Sequence, residues 1–515
     1  LVELGHVFDQ RLDEHEQAVE VWEEALKHDP DCEEAALPLV DEYVGKEQWG
    51  EAYPLLDLLV KTSDKREKEE QHRLAELLGR AAMKVGEIEE AIKAYTKAHQ
   101  LDPQHLPSLV GLANALFAAE DWDKAFKHYQ MLLVQHRDAL DRDLLVDVFY
   151  RQGMVKRAQN EPRKAINMFD KALEEDAAHR PTLDALVDIY AEQGKWDRVI
   201  HFKQQTLDNV LDDEERFTLL VEIGDIYSDK LKNPEEAIQP YSDACDIRPD
   251  DHAALHKLLA AFQRTKRWPD VVDTIERISA LDDRPQAKSK YAYTIAVITR
   301  DEIGDPDGAM ERFNQALDLD PSQLKAFEAI NKILTERKDW KNLERAYRKM
   351  LHRIIGKGNA ELEFNLWHTL GIIYRDRQKN FEPAAEAFRQ ALTLQPENEL
   401  VHQILSEIYS RLPDRVNEAI EEHQWLLQHD PYRVDSYRAL YRLYFEALDE
   451  AKVEYEIVAD QDAWMQDTAL ATADAIITAN PDLDVIIAVN DGGTIGSAQA
   501  VVNAGKQDQI LVFGH

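Results

Sequence analysis

The segment LWHTLGIIYRDRQKNFEPAAEAFRQALTLQP, residues 366–396, contains the pattern that decides the fold. Apolar side chains recur at helical spacing in its first half, where Tyr374 follows Trp367 by seven residues. They recur again in its second half, where Phe388 follows Ala384 by four residues. This spacing places the apolar side chains on one face of a helix with 3.6 residues per turn. The segment therefore predicts two amphipathic α-helices joined by a short turn.

Small residues in the same segment predict how the two helices meet. Gly371 and Ala384 leave room for a close approach of the helices, and an aromatic side chain fills the space beside them. Pro396 ends the second helix, because proline has no amide hydrogen and disfavours helical geometry in the residue before it. The predicted unit is therefore a helical hairpin that ends at a proline.

The same features recur along the chain in two interleaved series. Small residues in a similar local sequence are spaced 73, 74, 72, 72 and 75 residues apart, at Ala18, Ala91, Ala165, Ala237, Ala309 and Ala384. Tryptophans between them are spaced 73, 74, 72 and 72 residues apart, at Trp49, Trp122, Trp196, Trp268 and Trp340. Because two different signals share one period, the sequence predicts pairs of hairpins, each hairpin about 36–37 residues long, repeated about six times.

The hairpin pattern resembles the tetratricopeptide repeat (TPR), whose motif reads W-x2-L-G-x2-Y, then A-x3-F-x2-A, then P. The motif is nearly complete in residues 366–396 and good in residues 223–249 and 78–103. The resemblance covers roughly residues 1–448 and implies an all-α fold, a right-handed α-solenoid of about twelve TPR-like helical hairpins. It also implies a concave groove that binds another protein or a peptide. Prolines that end second helices are expected at Pro30, Pro103, Pro249, Pro321, Pro396 and Pro431.

The sequence changes character after about residue 450. Residues 451–515 contain two lysines, no arginine and ten acidic residues. Short runs rich in valine and isoleucine alternate here with two helical stretches, and the runs lie at 453–458, 484–489 and 509–513. This order predicts a short α/β fragment with the order βαβαβ and buried parallel strands, forming a second domain over residues 451–515.

This C-terminal segment resembles the type I periplasmic sugar-binding proteins, the ribose-binding-like group. The resemblance rests on ANPDLDVIIAVND at 479–491 and GSAQAVVNAGK at 496–506. In that family the Asn-Asp pair at the end of the strand contacts the hydroxyl groups of the ligand. The resemblance therefore implies ligand binding by Asn490 and Asp491, and it covers part of one of the family's two lobes.

Both parts of the chain look incomplete. Residues 1–8 match the second half of a first helix, and residues 434–448 match a first helix without a second one. These breaks predict a piece of something longer, or a junction of two proteins in one chain. A sugar is gripped between two lobes in the resembled family, so we expect a partial lobe to bind no sugar by itself.

Length and composition limit the kinds of fold and partner that we expect. The 515 residues exceed the ~250–300 at which one hydrophobic core stops growing, so the chain is a repeat array or several domains. Its 61 Lys and Arg against 99 Asp and Glu give a net charge of −38, which disfavours nucleic acid and favours a basic partner. No apolar run is long enough for membrane insertion. Two cysteines suit a cytoplasmic setting for the repeats, whereas the family that the C-terminal segment resembles is periplasmic.

The sequence lacks the patterns of an enzyme. His252 and His256 stand four residues apart near Asp251 and Cys245, but no third ligand has diagnostic zinc spacing. No serine or cysteine lies in a nucleophile-elbow sequence, and with 99 acids no carboxylate pair stands out as an acid–base couple. We therefore expect no catalytic residues, no metal and no cofactor.

The prediction for function is a protein–protein interaction scaffold that binds a partner in the groove of a TPR superhelix. TPR proteins that bind acidic C-terminal peptides use Lys, Asn and Arg on successive first helices. The residues after the motif glycine do not supply that set here, since they are His6, Arg80, Met154, Asp225 and Ile372. The alternative is a component of a sugar-binding receptor, with the C-terminal segment as part of the ligand-binding lobe.

Overall fold

The computed structural model describes residues 1–451, 454 and 456–514. The chain forms two compact units, Leu1–Thr265 and Lys266–His515, and each is described by itself. Helices dominate both units, as the repeat pattern predicts. Among the residues that the structure describes, no helix has the length and apolar character needed to cross a bilayer.

Unit 1 is a series of antiparallel helical hairpins. In each hairpin an odd-numbered first helix is followed by an even-numbered second helix, and α15 closes the unit. Its helices are α1 (Val2–Arg11), α2 (His15–His28), α3 (Glu33–Gly45), α4 (Trp49–Lys61), α5 (Lys68–Val85), α6 (Ile88–Leu101), α7 (Leu106–Ala118), α8 (Trp122–Gln135), α9 (Arg142–Ala158), α10 (Pro162–Glu175), α11 (Arg180–Glu192), α12 (Trp196–Asn209), α13 (Asp213–Asp225), α14 (Pro234–Ile247) and α15 (His252–Arg264).

Unit 2 also begins with alternating first and second helices, and these are followed by α/β elements. Its repeat helices are α16 (Trp268–Ala280), α17 (Pro285–Ile298), α18 (Pro306–Leu319), α19 (Leu324–Glu336), α20 (Trp340–Ile354), α21 (Ala360–Ile372), α22 (Phe381–Leu394), α23 (Glu399–Tyr409), α24 (Val416–His429) and α25 (Val434–Glu450). The α/β elements that follow are α26 (Gln466–Ala479), β1 (Val485–Ala488), α27 (Asp491–Asn503) and β2 (Leu511–Gly514). In chain order, the repeat parts of the two units contain twelve first and twelve second helices in alternation, followed by α25.

Proline and tryptophan mark the helix boundaries as predicted. Each of the six second helices with an expected proline stop ends two residues before that proline, as α2 does at His28 before Pro30. Each tryptophan of the second series is the first residue of a second helix, as Trp340 is in α20. The boundaries follow from local chemistry, because proline excludes the residue before it from helical geometry.

Small residues allow the helices of a hairpin to touch. All six members of the alanine series have no exposed surface. A glycine on the first helix faces an aromatic ring on the second, so closely that a Cβ on Gly79 would stand 2.8 Å from the ring of Tyr95. The same pairing occurs in four other hairpins of this series, as Gly5 with Trp22, Gly153 with Phe169, Gly224 with Tyr241 and Gly371 with Phe388, whereas the hairpin of Ala309 has Ala296 at the glycine position.

Eleven of the hairpin turns share one backbone feature. Two residues before a second helix begins, the chain adopts a positive φ, the left-handed conformation that glycine adopts most easily. Three of these positions are glycine and eight are not. They are Asp13, Glu47, Gly86, Glu120, Asn160, Gly194, Lys232, Lys266, Gly304, Lys338 and Lys379.

Three first helices end in a π-helical turn, in which the chain winds more widely than in an α-helix. These turns are Ile226–Lys230, Thr299–Ile303 and Ile373–Gln378. In the hairpins that contain them, the small residue of the first helix precedes the alanine of the second by 13 residues, as Gly371 precedes Ala384. The separation is 12 from Gly79 to Ala91 and from Gly153 to Ala165, whereas it is 13 from Gly5 to Ala18, although α1 has no π-helical turn. The wider turn therefore accommodates one extra residue.

The C-terminal segment has the predicted α/β character with two strands in its described residues. β1 and β2 are parallel, with Val485 opposite Leu511, and α26 packs on α27. Of the first predicted strand at 453–458, residues 453 and 455 lie outside the described residues, and the others are irregular. Ile457 and Val458 there are 53% and 47% exposed, so these two described residues lack the burial that stabilises a strand. The domain division at 448 and 451 stays a prediction.

Candidate functional site

Successive first helices of unit 1 are joined by charged side chains. Arg73 on α5 lies 2.7 Å from the Asp41 carboxylate on α3. Arg157 on α9 reaches two carboxylates on α11, Asp188 at 3.1 Å and Glu192 at 3.0 Å. These bonds connect neighbouring repeats and line up the exposed sides of their first helices. We call the exposed sides of α3, α5, α9, α11, α13 and α15 the first-helix surface.

Asp225 is the most connected carboxylate of this surface. It accepts a hydrogen bond from the Tyr241 hydroxyl on α14 at 2.7 Å, and Lys257 on α15 donates to its two oxygens at 2.6 and 2.7 Å. Burial, and then the bond to Asp225, raise the pKa of the Tyr241 phenol. One side chain on α13 thereby links the two helices of its own hairpin to the next first helix.

The positions after the motif glycine do not form a set of cations. His6 packs edge-on against Trp22, and Arg80 is paired within its own helix with Glu76 at 2.6 Å. Asp225 is acidic, and Ile372 is apolar. These positions therefore do not supply the set of Lys, Asn and Arg that would hold an acidic C-terminal peptide.

Carboxylates dominate the exposed part of α11 and α13. Asp184, Asp188 and Glu192 are exposed on α11, one helical turn apart. Asp213 and Glu222 are exposed on α13. Arg157 and Arg180 neutralise part of this charge, but the acidic residues remain in excess. This part of the surface is suited to attract a cationic ligand.

The tryptophan series packs between hairpins. Trp49, Trp122, Trp196 and Trp340 are half-buried and lie against hydrophobic core clusters. A cation covers two of these rings, since Lys230 Nζ lies 5.2 Å from the ring centre of Trp196 and the Arg377 guanidinium lies 4.8 Å from that of Trp340. The rings fill space and hold neighbouring side chains, which leaves little of their surface for a ligand.

In the C-terminal segment, Asn490 is buried and its side chain is already engaged. Its carbonyl oxygen accepts from the Gly493 amide and caps α27, and its amide donates to the Trp464 carbonyl at 3.1 Å. Asp491 is exposed and lies near α25, where burial and then the Asp491 charge raise the pKa of Tyr437. The ring of Tyr437 in turn packs edge-on against Trp464 at 5.3 Å. Ligand binding by Asn490 and Asp491 stays a prediction.

The histidines near the start of α15 are not gathered into a metal site. Asp251 caps the helix, with its carboxylate accepting from the Ala254 amide at 2.8 Å, while His252 and His256 are exposed and Cys245 is buried. In the described part of the chain, no group of three His, Cys, Asp or Glu side chains is placed to hold a metal ion.

A basic face on α20 was missed by reasoning from the sequence. This helix contains five Lys or Arg residues and one Glu, in a chain with a net charge of −38. The net charge in a window of about 15 residues, the length of this helix, would have revealed it in the sequence. An open cleft of about 440 Å³ between α8, α9 and α10 was also missed, and Phe126, Phe149 and Gln152 help to line it.

Antiparallel hairpins in which a small residue packs against an aromatic ring, with a proline after six of the second helices, define a helical-repeat fold. Comparison with known families assigns the repeat type. Residues 73–105, 105–174, 217–251 and 364–398 match tetratricopeptide repeat families, and residues 432–515 match a periplasmic binding protein domain. The chain thus contains tetratricopeptide repeats and a C-terminal segment of periplasmic-binding-protein type, as the sequence predicts.

Individual relatives are distant. The chain is 28% identical over 265 residues to the Hsp70-Hsp90 organizing protein of Triticum aestivum, which covers 50% of this chain and 42% of the relative. It is 27% identical over 216 residues to Superkiller protein 3 of Schizosaccharomyces pombe, covering 40% and 15%. A solved structure of Naa15/Naa10 bound to HypK-THB is 14% identical and covers 98% of this chain and 75% of that one, with a TM-score of 0.34. The chain spans less than half the length of these two curated relatives.

Proposed function

We propose that the chain is a protein-interaction scaffold that holds a partner protein or peptide against the first-helix surface of unit 1. The supporting observation is the set of bonds between successive first helices, including those from Asp225 to Lys257 and from Arg157 to Asp188. They hold exposed polar side chains of several repeats in fixed register, which favours recognition of an extended partner. The similarity to Hsp70-Hsp90 organizing proteins supports the same role.

We further propose that the partner is basic where it meets α11 and α13. Exposed carboxylates of these helices, such as Asp184 and Asp213, lie in a chain with a net charge of −38. An excess of negative charge attracts a cationic partner and speeds its association, and it repels nucleic acid. Association should therefore weaken as salt is raised.

Affinity capture with the full chain, followed by mass spectrometry, tests this proposal. The test variant carries Asp184→Asn, Asp188→Asn and Glu192→Gln on α11. The control carries Glu16→Gln, Glu20→Gln and Glu89→Gln, which removes three exposed carboxylates from second helices. Basic partners that the α11 variant loses and the control keeps would support the proposal. Equal recovery of the same partners by both variants would contradict it.

The alternative role as a sugar-binding receptor rests on the match of residues 432–515. We propose that the C-terminal segment does not bind a sugar by itself, since the Asn490 amide is bonded to Gly493 and Trp464. Calorimetric titration of the full chain with ribose should show no saturable heat. A one-to-one signal that disappears in Asp491→Ala would instead favour the receptor.

A further inference from the structure

Helix α20 (Trp340–Ile354) departs from the acidic character of the chain. Its sequence, WKNLERAYRKMLHRI, contains five Lys or Arg residues and one Glu. Its apolar side is fully used, because Leu343, Tyr347 and Met350 are buried in the core of unit 2. The opposite side is therefore the one available to a partner.

The exposed cations of α20 lie on one face. Lys341, Arg345, Arg348, Lys349 and His352 are all exposed and follow one another at offsets of 4, 7, 8 and 11 residues. At 100° per residue these offsets fall within one side of the helix, along about 16 Å at 1.5 Å per residue. Four of them, from Arg345 to His352, line one shallow depression. We call these five residues the α20 basic stripe.

Few carboxylates neutralise this stripe. Arg348 lies 3.2 Å from Glu344, but Glu344 is largely buried and also accepts a hydrogen bond from the Tyr374 hydroxyl at 2.9 Å. Lys349 lies 3.5 Å from Asp318. Among the described residues these are the ion pairs of the stripe, and the Arg345 guanidinium has the Asn342 side chain at 3.3 Å instead. The stripe thus retains unneutralised positive charge.

Apart from the pair of Arg348 with Glu344, the stripe contributes little to the stability of its own helix. Lys341 and Arg345 are four residues apart, as are Arg345 and Lys349, and like charges at this spacing repel. Cations in the first turn also oppose the helix dipole, whose positive end lies there. Arg353 differs, because it is buried and bonded to Asp318 and Asn314, where it anchors α20 to α18. A structural role accounts for Arg353 and leaves the stripe unexplained.

Other second helices show that a basic face is not required by the repeat. Helix α24 (Val416–His429) contains three Glu and neither Lys nor Arg. Helix α22 (Phe381–Leu394) contains two Glu and one Arg. Both are second helices of a helical hairpin, as α20 is. The charge of α20 is therefore specific to this position in the array.

We propose that the α20 basic stripe docks an acidic segment of a partner protein, a run of Asp and Glu residues in extended conformation. Alternate side chains of such a segment lie about 7 Å apart on one side, so two or three carboxylates fit along the stripe. Arg and Lys bind carboxylates through charge-assisted hydrogen bonds. This inference goes beyond the proposed function, because it concerns a second helix of unit 2 and a ligand of opposite charge.

Fluorescence anisotropy with the full chain tests the proposal. The probe is a labelled peptide of about twelve residues in which Glu alternates with Ser, long enough to exceed the stripe. The test variant is Lys341→Glu with Arg345→Glu. The control is Arg163→Glu with Lys164→Glu, which reverses two exposed cations in the first turn of α10 and gives the same net charge. We expect saturable binding that is at least tenfold weaker in the test variant and unchanged within twofold in the control.

Three results would overturn the proposal. One is the absence of saturable peptide binding at low salt, and another is an equal loss of affinity in both double variants. The third is a change of occupant: binding of a single-stranded oligonucleotide but not of the peptide, or self-association in sedimentation that Lys341→Glu with Arg345→Glu abolishes. Circular dichroism and thermal unfolding of both variants verify that they keep the helical content and the cooperative unfolding of the wild type.

Discussion

Gly371 and Phe388 are in direct contact across the α21–α22 hairpin. A Cβ built on Gly371 would stand 2.7 Å from both Cε2 and Cζ of the Phe388 ring. The ring itself is completely buried. The Phe388 ring therefore occupies the space that a side chain at position 371 would need.

Replacing Gly371 by Ala should destabilise this hairpin by about 1–3 kcal/mol, because the ring or the helix must shift to admit the methyl group. Chemical denaturation followed by circular dichroism measures the change. Gly50→Ala is the matched control, since nothing lies within 4 Å of a Cβ at that helical position. It should be neutral or stabilise by up to about 1 kcal/mol. Equal destabilisation by both substitutions would contradict the packing argument.

Two substitutions at the left-handed turn positions should have opposite effects on stability. Lys232 has φ +55° and Gly194 has φ +68° at equivalent positions. Lys232→Gly should stabilise by about 0.5–1 kcal/mol, because a side chain at positive φ is strained. Gly194→Ala should destabilise by about 1 kcal/mol for the same reason. Thermal unfolding of the two variants gives the sign of each effect, and effects of the same sign would refute the argument.

Asp225 should matter more to stability than its half-exposed position suggests. Asp225→Ala leaves the buried Tyr241 hydroxyl without its acceptor, at a cost of about 1–3 kcal/mol. Lys257→Ala removes the partly exposed cation and should cost less than about 1 kcal/mol. Adding Tyr241→Phe to Asp225→Ala should recover part of the loss, because the unpaired hydroxyl is then absent. Denaturant unfolding of the four proteins tests this, and a further loss in the double variant would argue against it.

We expect the buried His423 to make the stability of the fold depend on pH. It is buried on α24, where its ring nitrogen lies 3.1 Å from the Ser436 hydroxyl. Burial, followed by the charges of Arg433 and Arg442, lowers its pKa to about 4. The folded form therefore needs a neutral ring, whereas the unfolded chain binds a proton near pH 6.5. The contribution of the neutral His423 ring to the free energy of unfolding is complete above about pH 6.5. It decreases by about 2–3 kcal/mol as the pH falls towards 4.

His423→Gln isolates this effect, because glutamine keeps hydrogen-bonding groups and does not titrate in this range. Stability is measured from pH 7.5 to pH 4 for both proteins. The wild type should lose more stability than the variant across this window. Parallel curves for the two proteins would show that His423 does not carry the dependence.

Local chemistry made much of the fold predictable. Pro30 lies two residues after the end of α2, as the missing amide hydrogen of proline predicts, and all six members of the alanine series are buried, as their common period predicts. The π-helical turns were not predicted, although the separation of Gly371 from Ala384 contains the extra residue. Recognising its meaning requires knowing that the contact between Gly371 and Phe388 is preserved.

The candidate sites depended more on distant parts of the chain. The engagement of Asn490 depends on the carbonyl of Trp464, which is 26 residues away. Glu344, the one carboxylate of α20, accepts a hydrogen bond from the Tyr374 hydroxyl, 30 residues along the chain. Such relationships arise from packing between elements, and periodicity within one element does not contain them.

The π-helical turns give the array a tolerance for changes in gene length. A single inserted codon in a first helix is absorbed before the turn at Lys232 or Lys379, so the contacts of the next helix keep their phase. Repeats of two lengths can therefore be duplicated, deleted or exchanged by recombination without refitting their neighbours. Arrays of this kind can change in number of units faster than a single-core domain can change in size.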